Sequence, residues 1–202
     1  MEGLNFSSPL NITIENTEGK TKEYKVLVYA FTGLPVMYIN TENDTEITSK
    51  EEYVNAHLRI VEDIYTRSGE IFESDVTIKG RGNSTWSLPK KPYALKFDKK
   101  TSLLGEPKDK SWVLLANYTD KTNLRNEASF FMGRISNLEW TPRTHFVELF
   151  MNEVYCGTYQ LCEKIKIADS RVNITDDGYL MEIDQPDRID PEDHPKKEEY
   201  AQ

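Results

Sequence analysis

The sequence predicts an α+β domain: a strand-rich mixed or antiparallel sheet with one main helix packed on it. Short apolar-alternating segments bounded by turn residues recur from residue 36 onward, whereas a single stretch near 120–135 carries a helical period. Before them, LNITIE and KEYKVLVYAF alternate around Asn16-Thr17-Glu18-Gly19 and read as a β-hairpin. Thr32-Gly33-Leu34-Pro35 then breaks the ladder. A lone hairpin is marginal in water, so residues 1–33 either join the main sheet or end a preceding β-sandwich; the second reading is preferred. The strands expected next are VMYIN, NAHLRIV, SDVTIKG, YALKF, SWVLLAN, THFVELFM, TYQLCEKIKI and GYLMEID, separated by turns such as Gly105–Asp109, Asn152-Glu153 and Asp176–Gly178. In TDKTNLRNEASFFMGRISNL, Thr119 or Asp120 is placed to cap a helix. Leu124, Ala128, Phe131 and Ile135 then form one apolar stripe, expected to pack on the sheet. The closing DQPDRIDPEDHPKKEEYAQ is Pro-rich, charged and aperiodic, and reads as a loop or tail.

Composition narrows the function. The chain of 202 residues is 38% hydrophobic and 11% aromatic, enough for a packed core. With 25 Lys+Arg against 34 Asp+Glu its net charge is −9, which argues against a nucleic-acid partner. No apolar run approaches the ~20 residues of a membrane span, and the first residues lack the basic and apolar regions of a signal peptide. Cys156 and Cys162 lie along one expected strand. There they stand ~20 Å apart, too far for a disulfide. The histidines His57, His145 and His194 have no metal-ligand spacing, so no metal site is expected.

The densest chemical signal is IKGRGNSTWSLPKKPYALKF, residues 78–97. Gly80 and Gly82 let the backbone turn its N–H groups towards one point, and Asn83 and Ser84 add neutral donors. Arg81 between the glycines can fork around a phosphate or carboxylate. The strand that follows carries Lys91 and Lys96. Its alternation buries Tyr93, Leu95 and Phe97 and aims Lys96 away from the core, so Arg81 and Lys96 are expected to face one concave site. A rigid hairpin turn with solvated cations is the plainer alternative. Glu127 on the helix is a candidate partner of Lys96, and Glu163 ends a strand beside the expected cleft. Trp86 either stacks on a base or covers the sheet end. Glu182 and Asp184 share a strand face and suit a metal, a pair of cations, or solvent.

The segments GRGNSTW…KKPYALKF, SWVLLANYTDKTNLRNEASFFMGR, FVELFMNEVYCGTYQLCEKIKI and DDGYLMEID resemble, in order, the spore-coat CotH family of atypical protein kinases. The resemblance implies that residues 34–202 are the N-terminal part of a kinase-like domain. It implies a nucleotide-binding set of Gly80, Arg81, Gly82, Asn83, Ser84, Lys91, Lys96, Glu127 and Glu163. ATP and Mg²⁺ would serve the full-length parent, with neither expected on this part alone. The family's later Trp-Asp-x-Asp motif has no counterpart: Trp86, Trp112 and Trp140 precede Ser87, Val113 and Thr141. Phosphoryl transfer depends on metal and positioning, so catalysis by these residues alone is not expected. YKVLVYAFTGLP is similar to the end of a β-sandwich in cell-surface proteins of gut Bacteroidetes, which implies an exported parent at the cell surface or in the periplasm. A protein substrate of unknown identity is implied, and half a domain would leave a sheet face open to self-association. The rival reading is a surface adhesin, glycan-binding module or scaffold without catalysis.

Overall fold

The computed structural model describes residues 10–26, 32–62, 71–175 and 177–181. Strands β1 (Leu10–Glu15) and β2 (Thr21–Val26) form the expected hairpin, an antiparallel two-stranded sheet of its own. Its turn is closed by the Asn16 side chain, whose Oδ1 accepts from the amides of Glu18 at 3.0 Å and Lys20 at 2.9 Å.

The remaining strands are β3 (Val36–Thr41), β4 (Val54–Val61), β5 (Ile71–Gly80), β6 (Tyr93–Thr101), β7 (Asp109–Leu115), β8 (Thr144–Met151) and β9 (Val154–Glu163). They close into a barrel in the order β3-β4-β5-β6-β7-β9-β8. Neighbours are antiparallel except where β8 returns beside β3, with Met37 opposite Leu149. The period-2 alternation read from the sequence sends Met37, Ile39, Leu58, Ile78, Leu95, Trp112, Leu114, Leu149 and Leu161 into the interior, which side chains fill. Cys156 and Cys162 are free thiols, as their spacing required.

Four expectations are corrected. The strand expected through Ile167 ends at Glu163, and residues 178–181 form no strand; Glu182 and Asp184 lie outside the described residues. The helix exists, as α1 (Arg125–Ile135); its N-cap position is Leu124 rather than Thr119 or Asp120, although Asp120 Oδ2 accepts from the Arg125 amide at 2.8 Å. Its apolar stripe, however, faces solvent: Leu124 is 58%, Phe131 52% and Ile135 62% exposed, and only Gly133 is buried, against Thr141. The reason is topological. A closed barrel buries the inner face of its sheet within itself, so no open core face awaits a covering helix. Closure likewise removes the uncovered sheet face through which self-association was expected. Exposed apolar side chains are found on α1, at Phe131, Met132 and Ile135, and on the segment after β9, at Ile165 and Ile167.

Polar contacts hold α1 to the barrel. Glu127 accepts from Thr144 Oγ1 at 2.5 Å and Gln160 Nε2 at 3.1 Å, and pairs with Arg134. Asn126 donates to Asn117 Oδ1 at 2.8 Å. Partial burial pushes the Glu127 carboxyl upward, but the bonds from Thr144, Arg134 and Gln160 outweigh it and hold it below its ordinary 4.5. A carboxyl lowered on folding stabilises fully above its unfolded value and loses that contribution as pH falls through the folded one. Thermal unfolding of the wild type and Glu127→Gln is therefore expected to differ most near neutrality, with the gap closing well below pH 4.5. A gap independent of pH would refute the ionised role.

Candidate anion-binding site

The glycine turn is built by close packing. The Gly80 amide donates to Ser49 O at 2.9 Å and the Arg81 amide to Pro92 O at 3.1 Å. A Cβ on Gly80 would overlap the Trp86 ring, which covers the strand end and meets Tyr93 edge-on at 6.4 Å. Gly82 takes φ 86, in the left-handed region, and a Cβ there would collide with Thr85 Oγ1. A short 3₁₀ turn, Ser84–Ser87, follows, closed by Trp86 N donating to Asn83 O at 3.1 Å. Among the described residues, the amides of Gly82, Asn83 and Ser84 have no hydrogen-bond acceptor. Asn83 and Ser84 are exposed.

Arg81 sits at the junction of the grooves that meet here. On one side is a pocket of about 300 Å³ lined by Gly80, Gly82, Asn83, Lys50, Lys79 and Lys164, with Glu51 the single acid. On the other is a more apolar pocket of about 720 Å³. Val113, Leu115 and Cys162 on the outer barrel face line it, with Phe130 of α1 and Ile165. Arg81, Val113 and Lys164 belong to both. A third recess of about 250 Å³, reaching Asp120 and Asn126, also opens on Arg81. Burial lowers the Arg81 pKa, and no carboxylate among the described residues pairs with its guanidinium. A desolvated cation with unspent donors favours an incoming anion. Burial pushes the Cys162 thiol up to about 12, so it lies in the apolar pocket as a neutral group.

A profile of the CotH kinase protein family matches residues 78–202, more than half of the chain. The chain belongs to the CotH kinase protein family. No curated protein matches it. The match begins at Ile78, two residues before the glycine turn, so the whole basic pocket except Lys50, Glu51 and Tyr53 falls within the CotH region.

Of the residues singled out from the sequence, Gly80, Arg81, Gly82 and Asn83 line the basic pocket, and Ser84 adjoins it on the turn. The others are placed elsewhere. Lys96 does project outward, but it lines a different pocket, with Asn40, His57 and Asp75. The β5–β6 register explains this: Lys79 lies opposite Ala94 beside the turn, while Lys96 lies opposite Thr77, two residues further on. Lys79 therefore occupies the place expected of Lys96. Its signal is present in the sequence, since Lys79 directly precedes Gly80 and alternates with buried Ile78. Lys79 and Lys96 flank the same ring, with Nζ at 4.8 and 5.7 Å from the Tyr53 centroid. Lys91 braces the turn, donating to Trp86 O at 2.6 Å. Glu127 pairs with Arg134 rather than Lys96. Glu163 does border the apolar pocket, as expected of a residue beside the cleft, but it is 1% exposed and its carboxylate is held between Arg143 and Arg171. Among the described residues no group of three or more His, Cys, Asp or Glu is arranged to hold a metal, and no helix is long and apolar enough to cross a membrane.

Proposed function

We propose that this chain is the nucleotide-cradling portion of an exported CotH-like atypical protein kinase. Residues 34–202 would form the N-terminal part of the kinase-like domain, and the β1–β2 hairpin would end a preceding β-sandwich. Arg81, half-buried and without a carboxylate partner between a basic and an apolar pocket, carries the reading. Phosphates would lie against Arg81, Lys79, Lys164 and the free amides of Gly82 to Ser84. A base would lie over Val113 and Cys162. The described residues suit a phosphate anion and supply no magnesium cluster. In this reading the metal ligands of the parent lie outside them, and these residues bind and orient the phosphates.

Calorimetric titration with ATP tests the assignment. One or two charge-assisted hydrogen bonds contribute about 1.5–3 kcal/mol each. Arg81→Ala is thus expected to weaken binding by about 10- to 100-fold, while Lys96→Ala leaves it within about twofold. Absence of ATP binding by the full-length parent in the presence of Mg²⁺, or parent binding indifferent to Arg81→Ala, would refute the nucleotide reading.

A further inference from the structure

Beyond β9 the chain turns into a closed loop, residues 164–172, whose first two residues wall the groove: Lys164 lines both pockets and Ile165 the apolar one. The loop is tied to itself by Val172 N donating to Lys166 O at 3.2 Å, Ala168 N to Val172 O at 3.2 Å, and Arg171 N to Ala168 O at 2.9 Å. Its apolar side chains do not fasten it, because Ile165 is 60% and Ile167 53% exposed. Charged groups do. The Glu163 carboxylate accepts from the Arg143 amide at 3.0 Å and from Arg143 Nη2 at 2.8 Å, and pairs with Arg171. Arg143 Nη2 also donates to Ser170 O at 2.7 Å, which reaches across the loop. The Arg171 side chain is fully buried, with its guanidinium 4.7 Å from the centroid of the Trp112 ring. Lys166 Nζ, 3.1 Å from Asp109 Oδ1, adds a second tie to β7.

We infer that residues 164–172 are an ion-paired strap and that Arg143 and Arg171 are positioning residues for the groove. By fastening the strap to Glu163 they set where Lys164 and Ile165 stand. Anion binding and strap order are coupled: the occupied groove protects the strap, and an unfastened strap binds more weakly. This coupling rests on the anion-binding reading of the groove; the fastening does not.

Hydrogen exchange of the full chain, with inorganic triphosphate as the probe, separates the two. In Arg171→Met, the Ala168 and Val172 amides are expected to exchange at least about tenfold faster while those of Ile39 and Leu58 in the barrel stay protected. Triphosphate is expected to bind several-fold more weakly to the variant and to slow strap exchange in the wild type. Arg143→Met, which removes the tie to Ser170 but keeps Arg171, should give the same pattern in milder form and serves if Arg171→Met does not fold. Arg171→Lys should not restore the wild-type exchange, since an ammonium cannot reproduce the guanidinium's contact over the Trp112 ring together with its pairing to Glu163. Unchanged strap exchange in both methionine variants, or equal acceleration throughout the barrel, would overturn the fastening. A loosened strap with unaltered triphosphate affinity would overturn the coupling. A wild type that binds no triphosphate would overturn the coupling, with the nucleotide reading decided separately by ATP titration of the full-length parent and the fastening still decided by exchange.

Discussion

Glu163→Ala is expected to destabilise the fold by about 3–5 kcal/mol, the cost of breaking a buried ion pair by removing one partner. The carboxylate is 1% exposed and is the shared anion of Arg143 and Arg171. Without it, Arg171 stays buried with no counter-charge in contact, and the Arg143 amide loses its acceptor. For a chain of this size such a loss lowers the melting temperature by about 10 °C. Urea unfolding followed by tryptophan fluorescence measures it directly. A loss below about 1 kcal/mol, the range of solvent-screened pairs, would show that water reaches the cluster and that its charges are not desolvated.

Trp112→Ala is expected to cost a similar amount, about 3–5 kcal/mol, for a different reason. The indole is 1% exposed in the barrel core, and Nε1 donates to Asp109 O at 3.2 Å. Its removal leaves a cavity that a closed barrel cannot collapse easily, and takes away the ring beneath Arg171. Because Trp112 and Arg171 touch, their effects should not add: a double-mutant cycle with Arg171→Met is expected to give a coupling of about 0.5–3 kcal/mol. Trp112→Phe should be milder, since it keeps an aromatic face and loses the hydrogen bond. Full additivity would mean that the stacking contributes nothing.

The strands are legible in the sequence because alternation is a local signal. Met37 and Ile39, Ile78, and Leu95 with Phe97 all announce their buried face within a few residues. The hairpin turn is equally plain, carried by Asn16 and Gly19. Closure is not legible, because it depends on β3 meeting β8, and no local pattern names a strand's distant partner. The misplacing of α1 follows from that gap. Leu124, Phe131 and Ile135 have helical spacing, but spacing does not say whether a core face is available to receive them. The site is legible at Arg81 and its glycines, where backbone freedom and a cation coincide in sequence. Alternation cannot separate Lys96 from Lys79, since both point outward, and only the pairing of Lys79 with Ala94 places one beside the turn. Arg143 and Arg171 give no signal at all, since an isolated arginine in a loop reads as a solvated charge until a buried carboxylate is found facing it.

The seam between β3 and β8 also governs how the chain acquires its shape. The Thr41 backbone amide donates to Asn152 Oδ1 at 2.8 Å across 111 positions of sequence, and Asn152 Nδ2 donates in return to Thr41 Oγ1 at 2.9 Å. Until Asn152 has left the ribosome, the first strand of the barrel has one unsatisfied edge, and the meander from β3 to β7 is an open sheet with its apolar face unsealed. The entropy of closing so long a loop is spent before the seam rewards it. The barrel should therefore collect late in synthesis, on the slow millisecond-to-second side of folding rates. The nascent intermediate is the form most exposed to mispairing and to capture by chaperones.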